Sequence, residues 1–418
     1  VSAHPILVIG AGPAGLAAAH AIASCGERVA IVDENPQAGG QIWRGGPGRW
    51  HDRRADALWE ALRGNALIEW ISGARIVAKA GEGRLLLDEG GTPRDLAWDH
   101  AVLCTGAREL LLPFPGWTLP GVTGAGGLQA LVKGGMPVAG KRVVVAGSGP
   151  LLLAAASTVR KSGGKLALVA EHQPMPELAR FAAGLAISHR NKLAQAIRLG
   201  ASIGAGVFHA GATVIEAKGD TRLRSVVVRR NGRDTEVECD FLACGFGLVP
   251  SLETAMLFGC RSEGGCIIAD STQQTSATGI WAAGESTGIG GVDKALAEGR
   301  IAGLAACGKA PSAQDLKART QAHRFAGLLG KSFGLDKALR ALCTPETIVC
   351  RCEDVRAAEL MQHTGWRSAK LQTRAGMGAC QGRVCGTACQ FLYGWEAPGL
   401  REPVFPTSAA VLARLPDD

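Results

Sequence analysis

Pro5-Ile6-Leu7-Val8-Ile9-Gly10-Ala11-Gly12-Pro13-Ala14-Gly15 is the stretch on which the fold turns. Its first five residues read as a fully buried strand, the glycine run as a tight turn, and Leu16 to Ser24 as a helix. A second strand, Arg28 to Val32, ends at Asp33, with Glu34 next in line. This is a G-x-G-x-x-G turn in the setting of strand, helix and acid-terminated strand that dinucleotide binding requires. Gly10 permits the turn, Gly12 lets the backbone approach a pyrophosphate, and Gly15 lets helix and strand pack closely. Pro13 and Ala14 complete the turn. The helix N-terminus faces the phosphates, and Asp33 can accept hydrogen bonds from a ribose.

The motif recurs. Lys141 to Ala146 leads into Gly147-Ser148-Gly149-Pro150, and the strand Lys165 to Ala170 ends at Glu171. Gly10 to Asp33 is 23 positions and Gly147 to Glu171 is 24, so the repeat is matched in spacing as well as in motif. Leu152 stands at the third-glycine position, where a side chain should push the helix away from the strand. Three readings stay open there: a nicotinamide site, an adenine nucleotide (ATP or NAD) held for structural reasons, or an empty site. Glu171 favours a 2′-hydroxyl over a 2′-phosphate.

Two segments bring the chain back to the first fold. Ala101 to Leu103, with Cys104-Thr105-Gly106, resembles the outward crossing of flavoproteins that carry two dinucleotide folds, and Phe241 to Gly247 resembles the return. Thr278 to Ala283 then forms a late strand ending in Gly284-Glu285. In such flavoproteins an acid there hydrogen-bonds the ribityl chain of FAD. Gly288, Gly290 and Gly291 follow, and a helix begins near Val292, its N-terminus turned towards the flavin pyrimidine edge. After Asp33 the loop reads Gly39-Gly40-Gln41-Ile42-Trp43, with Gln41 placed to hydrogen-bond a flavin. It holds no cysteine, and none lies between Cys104 and Cys239, so thiol–disulfide exchange at the flavin is excluded. Trp43, Trp50, Trp59 and Trp70 read as packing residues.

Near the C-terminus Cys350-Arg351-Cys352 is followed by 27 residues and then Cys380-Gln381-Gly382-Arg383-Val384-Cys385. Four thiolates suit a two-iron cluster. Zinc is the rival, but a C-x-C step is cramped for a single tetrahedral ion. Glycine-rich Arg374-Ala375-Gly376-Met377-Gly378 would let backbone N–H groups approach bridging sulfurs. Cys389 has no place in a four-ligand set.

Composition narrows the class. The chain has 418 residues, 47% hydrophobic and 20% charged, enough for two or three domains. Its net charge of +8 comes with no nucleic-acid recognition motif. Seven Lys/Arg against Asp315 and Asp336 fall within residues 309–345, which read as a solvated linker face or a docking surface for an acidic partner. The uncharged stretch Val143 to Val159 is broken by its own glycine turn, so no membrane span is expected there. The opening Val1-Ser2-Ala3-His4 lacks a basic leader, and thirteen scattered cysteines fit a reducing compartment. The expectation is a cytoplasmic protein.

Cys350 to Val355 and Arg374 through Cys385 resemble the bacterioferritin-associated ferredoxin domain in its version appended to flavoproteins. Gly284-Glu285-Ser286-Thr287-Gly288-Ile289-Gly290-Gly291-Val292-Asp293 and Gly147 to Leu153 resemble one family over nearly the whole chain. It comprises the FAD-containing A (alpha) subunits of octopine and nopaline oxidases, D-hydroxyproline and related proline dehydrogenases, and hydrogen cyanide synthase. The resemblance implies an electron-relay subunit. Substrate C–N oxidation would fall to a second flavoprotein subunit of the D-amino-acid-oxidase type, in some members joined by a small third iron–sulfur subunit. It also implies a 2Fe–2S cluster on Cys350, Cys352, Cys380 and Cys385, and Leu152 belongs to the family's pattern.

The expected fold is α/β, with two Rossmann-like domains of the pyridine nucleotide-disulfide oxidoreductase type and a small helical 2Fe–2S domain. Expected boundaries are 1–110 and 241–308 for the FAD domain, 111–240 for the second nucleotide domain, 309–345 for a basic helical linker, 346–394 for the cluster domain and 395–418 for a tail. No general base or substrate clamp emerges from the loops, so the catalytic residues stay unknown. The competing functions are a free-standing NAD(P)H-dependent reductase, a hydrogen cyanide synthase subunit, and a structural subunit with inert cofactors.

Overall fold

A computed structural model describes residues 4–204, 206–396 and 399–415. The described chain falls into two compact units, Val1–Arg108 with Val249–Gly327 and Gly399–Asp418, and Glu109–Leu248 with Leu328–Pro398.

The first unit is built on a five-stranded parallel sheet. Its order is Ile280–Ala282, Ala101–Leu103, Ile6–Ile9, Val29–Asp33, Ile68–Ser72. The inner strands are continuous apolar runs because helices and a second sheet cover both faces. The first helix spans Pro13–Ser24, starting three residues before the expected Leu16 because Pro13 presets the helical φ of the first turn. It is crowded by design. A methyl group on Gly15 would run into the carbonyl oxygen of Gly10 and sit 3.3 Å from Val8 Cγ1. A helix from late in the chain, Val292–Ala306, crosses the first helix, and methyl groups on its Gly299 or Gly303 would strike the carbonyl oxygens of Ala14 or Ala18. An antiparallel meander, Ala74–Lys79, Arg84–Glu89 and Thr92–Ala97, covers the sheet's other side. The tail returns to this meander, where Val404 N–H donates to Val77 O at 2.7 Å and Val411 is buried beside Val77 and Leu86.

The second unit repeats the plan. Its parallel sheet runs Phe208–Ala210, Lys165–Glu171, Arg142–Gly147, Phe241–Gly245, Val122–Gly124, and its own antiparallel meander spans Ala212–Lys218, Ser225–Arg230 and Arg233–Glu238. Leu152 does not force the Leu151–Lys161 helix off the sheet. It is 1% exposed and fits a notch left by Gly245, whose own Cβ would stand 3.1 Å from Leu152 Cδ2.

The segmentation differs from expectation in three places. Phe241–Gly245 pairs with Arg142–Gly147, so the return crossing falls at Leu248 and not at 241. The expected linker holds a 20-residue helix, Ala313–Ser332, whose C-terminal end belongs to the second unit. The cysteine segment has its own small core around Val349, Leu360, Trp366 and Ala369, yet it belongs to the second unit. Trp117 joins the two parts, with Nε1 donating to Ile348 O at 2.6 Å and the Arg351 guanidinium 5.6 Å over its ring.

The two third-position residues should respond oppositely to size. Gly15→Ala should cost about 1–3 kcal/mol through overpacking against a backbone carbonyl that cannot retreat. Leu152→Ala should cost about 2–5 kcal/mol through a cavity. Chemical denaturation of the two variants checks both.

Candidate functional site

At the first turn, Gly10 has φ +104° and sits against the carbonyl of Cys104, closing the turn onto the neighbouring strand. Asp33 is 9% exposed, and its Oδ2 accepts from Ala11 N–H at 2.5 Å. Its Oδ1 accepts from Asn35 N–H at 2.7 Å and from Asn35 Nδ2 at 2.8 Å. The acid thus locks its own turn and keeps lone pairs for a ribose. Glu34 faces away and pairs with Arg75 at 3.1 Å on the surface. Gly40 lies against Gly12, one glycine on another, so backbone alone lines that side. Gln41 is exposed and accepts from Arg44 at 2.6 Å, not turned to the site. Thr105 Oγ1 donates to Ser251 O at 2.7 Å and Gly106 O accepts from Ser251 N–H at 3.0 Å, which pins the outward crossing.

The late loop carries the polar end of the site. Gly284 has φ +84°, and a methyl group on it would press on Ala14 of the first helix, so this loop meets the first turn directly. Glu285 Oε1 accepts from Gly291 N–H at 2.6 Å and Gly290 N–H at 3.3 Å, in front of the helix that begins at Val292. Glu285 Oε2 is shut off from solvent and has no partner among the described residues. Burial pushes this carboxyl up, against the pull of the two N–H groups. An orphaned buried acceptor beside a glycine cradle is what a hydroxyl-rich cofactor chain would satisfy. The residues fit FAD.

Beneath this loop lies a charged network that the sequence reading missed. Lys294 is 2% and Glu298 0% exposed. Lys294 Nζ donates to Gly284 O at 2.8 Å, Thr287 Oγ1 at 2.7 Å and Glu298 Oε2 at 2.8 Å. Glu298 Oε2 also accepts from Gly284 N–H at 2.9 Å, and its Oε1 meets His323 Nε2 at 2.7 Å. Burial opposes ionisation of Glu298, but His323 and Lys294 more than offset it and hold the carboxyl below its usual range. The signal was a Lys and a Glu four apart in a helix rich in alanine and glycine.

The four expected tryptophans form a packed file with ring centroids 6.1, 6.2 and 5.2 Å apart.

At the second turn Glu171 is 3% exposed, with Oε2 accepting from Gly149 N–H at 2.8 Å and Oε1 from Gln173 N–H at 2.9 Å. Gly147 has φ +137° and Pro150 caps the helix.

The four C-terminal cysteines are brought together. The Cys385 thiol donates towards the sulfurs of Cys350 and Cys380, and the Cys352 thiol donates towards Cys380; all four are free thiols. Cys350 is pulled down to about 6, chiefly by the Cys385 thiol, while Cys385 itself is pushed up. Gly376 N–H points at Cys350 Sγ at 3.4 Å, and a methyl group on Gly378 would strike Cys352 Cβ. Among the described residues no three Cys, His or acidic side chains converge on a point for one ion. A two-iron centre asks less of any one point, since its four thiolates divide between two metals. The donor set fits such a cluster. A cavity of about 250 Å³ adjoins this segment, lined by Phe114, Trp117, Val122, Thr123 and Arg351 among others.

The model of the family described as pyridine nucleotide-disulphide oxidoreductase matches residues 4–299. The opine oxidase A subunit of Agrobacterium tumefaciens (strain Ach5) is 31% identical, over 99% of this chain and 92% of that protein. Hydrogen cyanide synthase subunit HcnB from Pseudomonas aeruginosa is also 31% identical, over 92% and 91%. Among solved structures, L-proline dehydrogenase from P. horikoshii superposes with TM-score 0.70 at 19% identity, covering 98% of this chain and 79% of that one.

Lys294→Met should destabilise the protein by about 3–5 kcal/mol, because it takes the buried ammonium away from the buried carboxylate of Glu298. Adding Glu298→Gln should recover part of that loss. Glu298 contributes stability in full above its unfolded value near 4.3 and loses it as pH falls through its lower folded value. Denaturant unfolding at pH 7 and along an acid series, with retained flavin measured by absorbance, checks all three outcomes.

Proposed function

This chain belongs to the pyridine nucleotide-disulphide oxidoreductase family, with opine oxidase A subunits and HcnB as relatives, and from that premise we propose that it is an electron-transfer subunit. The enzyme would be a heteromeric dehydrogenase or oxidase acting on a C–N bond of an amino or imino acid, of the opine or D-hydroxyproline type. That the chain is an FAD-binding oxidoreductase with Rossmann-type folds follows from its family and architecture. Oxidation of the substrate is assigned to a partner flavoprotein of the D-amino-acid-oxidase type, the arrangement to which some members of the resembled family add a small third iron–sulfur subunit. The names of the relatives support this, since each is called a subunit. HcnB is as similar as the opine subunit, so hydrogen cyanide synthesis is the second reading.

One observation carries the proposal. A single chain joins an FAD cradle to four cysteines that meet pairwise, Cys385 with Cys350 and Cys380, and Cys380 with Cys352. A bound flavin takes electrons in pairs, whereas a 2Fe–2S cluster passes them singly. The chain's own part is to hold and insulate. Asp33 and Glu285 grip their turns, Lys294 and Glu298 stiffen the loop between them, and Gly376 and Gly378 bring N–H groups and close backbone to the sulfurs. Cys350 lies low enough to be a thiolate near neutral pH, the form that binds metal. Among the described residues no helix is long and apolar enough to cross a membrane. The cytoplasm is the proposed compartment.

Anaerobically purified protein should carry roughly two irons per chain on its four cysteines. Cys380→Ser should lose that iron and its visible absorbance while keeping the flavin. The flavin of the wild type should bleach when the partner and an amino- or imino-acid substrate are added, not with NADH. A colourless, iron-free protein, or full reduction by NADH alone, would overturn the proposal.

A further inference from the structure

A dinucleotide on a G-x-G-x-x-G turn lays its pyrophosphate over the second glycine and the helix N-terminus, with its ribose at the acid ending the next strand. In the second unit both places are already covered by the chain itself. We propose that the segment Phe333–Asp336 is a built-in plug that closes the second dinucleotide fold to nucleotides.

The Phe333 ring lies over Gly149, where a Cβ would stand 3.6 Å from Phe333 Cγ, ordinary van der Waals contact with no layer left for a phosphate. At the matching Gly12 of the first turn the neighbour is only the Cα of another glycine, at 3.8 Å. Phe333 is held firmly. Its ring meets Phe181 edge-on at 4.8 Å, and its N–H donates to Leu329 O at 3.0 Å, extending the preceding helix. One turn earlier Leu328 packs on Gly184, with 2.9 Å between Leu328 Cδ1 and the place of a Cβ.

The ribose end is covered by the next residues of the same segment. Gln173 Nε2 reaches Gly334 O at 3.5 Å, and His172 Nε2 lies 3.4 Å from Asp336 Oδ2. His172 is oriented from behind by Thr213 Oγ1 at 2.8 Å from its Nδ1. These two residues directly follow Glu171, whose oxygens each already accept a backbone N–H. Asp336 caps the short helix Lys337–Leu342, and the chain then enters the cysteine segment at Ile348. The plug is therefore also the tether of the cysteines. A nucleotide could enter only by lifting a side chain whose backbone leads straight to the thiols.

The test uses the FAD-loaded full chain, titrated calorimetrically with NADH and with ATP up to about 1 mM. Wild type should bind neither, and Phe333→Ala should gain binding of at least one of them by about tenfold or more. One equivalent bound by wild type, or no gain in a folded Phe333→Ala, overturns the plug. Hydrogen exchange on wild type decides the matter if that variant does not fold. Amide protection over 329–336 unchanged by either nucleotide supports the plug, and deprotection on addition overturns it. The result is independent of iron content and of any partner, so it stands apart from the electron-transfer proposal.

Discussion

Two helices meet backbone to backbone in the first unit because Gly299 and Gly303 offer no side chains to Ala14 and Ala18. That approach ties the N-terminal turn to a helix from far along the chain, and the cofactor cradle depends on it. With the helices so close, the Gly284–Gly291 loop is pressed onto Ala14, and Glu285 is carried beside the glycines of the first turn. Space is then too tight for water to solvate what lies below. Lys294 and Glu298 fill it and satisfy the loop's backbone at Gly284, both its N–H and its carbonyl. A buried ion pair is poor value as stability alone, since desolvation offsets much of the attraction. Here it does something an apolar pair could not, because Gly284 has a donor and an acceptor to satisfy where no strand or helix partner reaches.

How much of this was legible follows from the kind of signal each part leaves. Gly10, Gly12 and Gly15 sit in fixed positions because backbone sterics allow nothing larger, so the first fold could be read directly. The repeat at Gly147 was readable for the same reason, and the start of the late helix at Val292 follows from the glycines before it. Gln41 and Glu34 were assigned by position in a motif, yet neither side chain faces the site, because Arg44 and Arg75 offer nearer surface partners. Leu152 was read as an obstacle. Its accommodation depends on Gly245, distant in sequence, and no local pattern reports a notch of that kind. Long-range complementarity of this sort also hid His323 beside Glu298 and Phe333 over Gly149.

The cysteine segment follows a different logic. Its core is small, around Trp366 and Val349, and a domain of that size gains little from burial alone. Docking through Trp117 and Arg351 adds a hydrogen bond and a cation–π contact, and the four thiols lie where a shared metal centre would staple the segment's ends. Cys389 illustrates the contrast. It is fully buried in the same core, and burial pushes its thiol up to about 12, which makes it an inert packing group. Cys350 is equally shut from solvent but is pulled down by its thiol neighbour. Burial alone does not separate the two thiols; contact with other sulfurs does.

The two dinucleotide folds began with the same equipment and differ in what faces the glycines. Each ends its second strand in a buried acid that grips its own turn, Asp33 on Ala11 and Glu171 on Gly149. That grip is needed to hold the turn's shape whether or not a ligand arrives, so it is no evidence of use. The discriminating feature is the surface opposite. Over the first turn lie a glycine and an unsatisfied carboxylate oxygen, which cost stability unless something completes them. Over the second lies an aromatic ring set edge-on against its own partner, and Ser148 Oγ of that turn is buried without a hydrogen bond among the described residues. Under the proposed plug the second fold's task is mechanical, carrying the cysteine segment on a frame whose binding edge has become a seat for the tether.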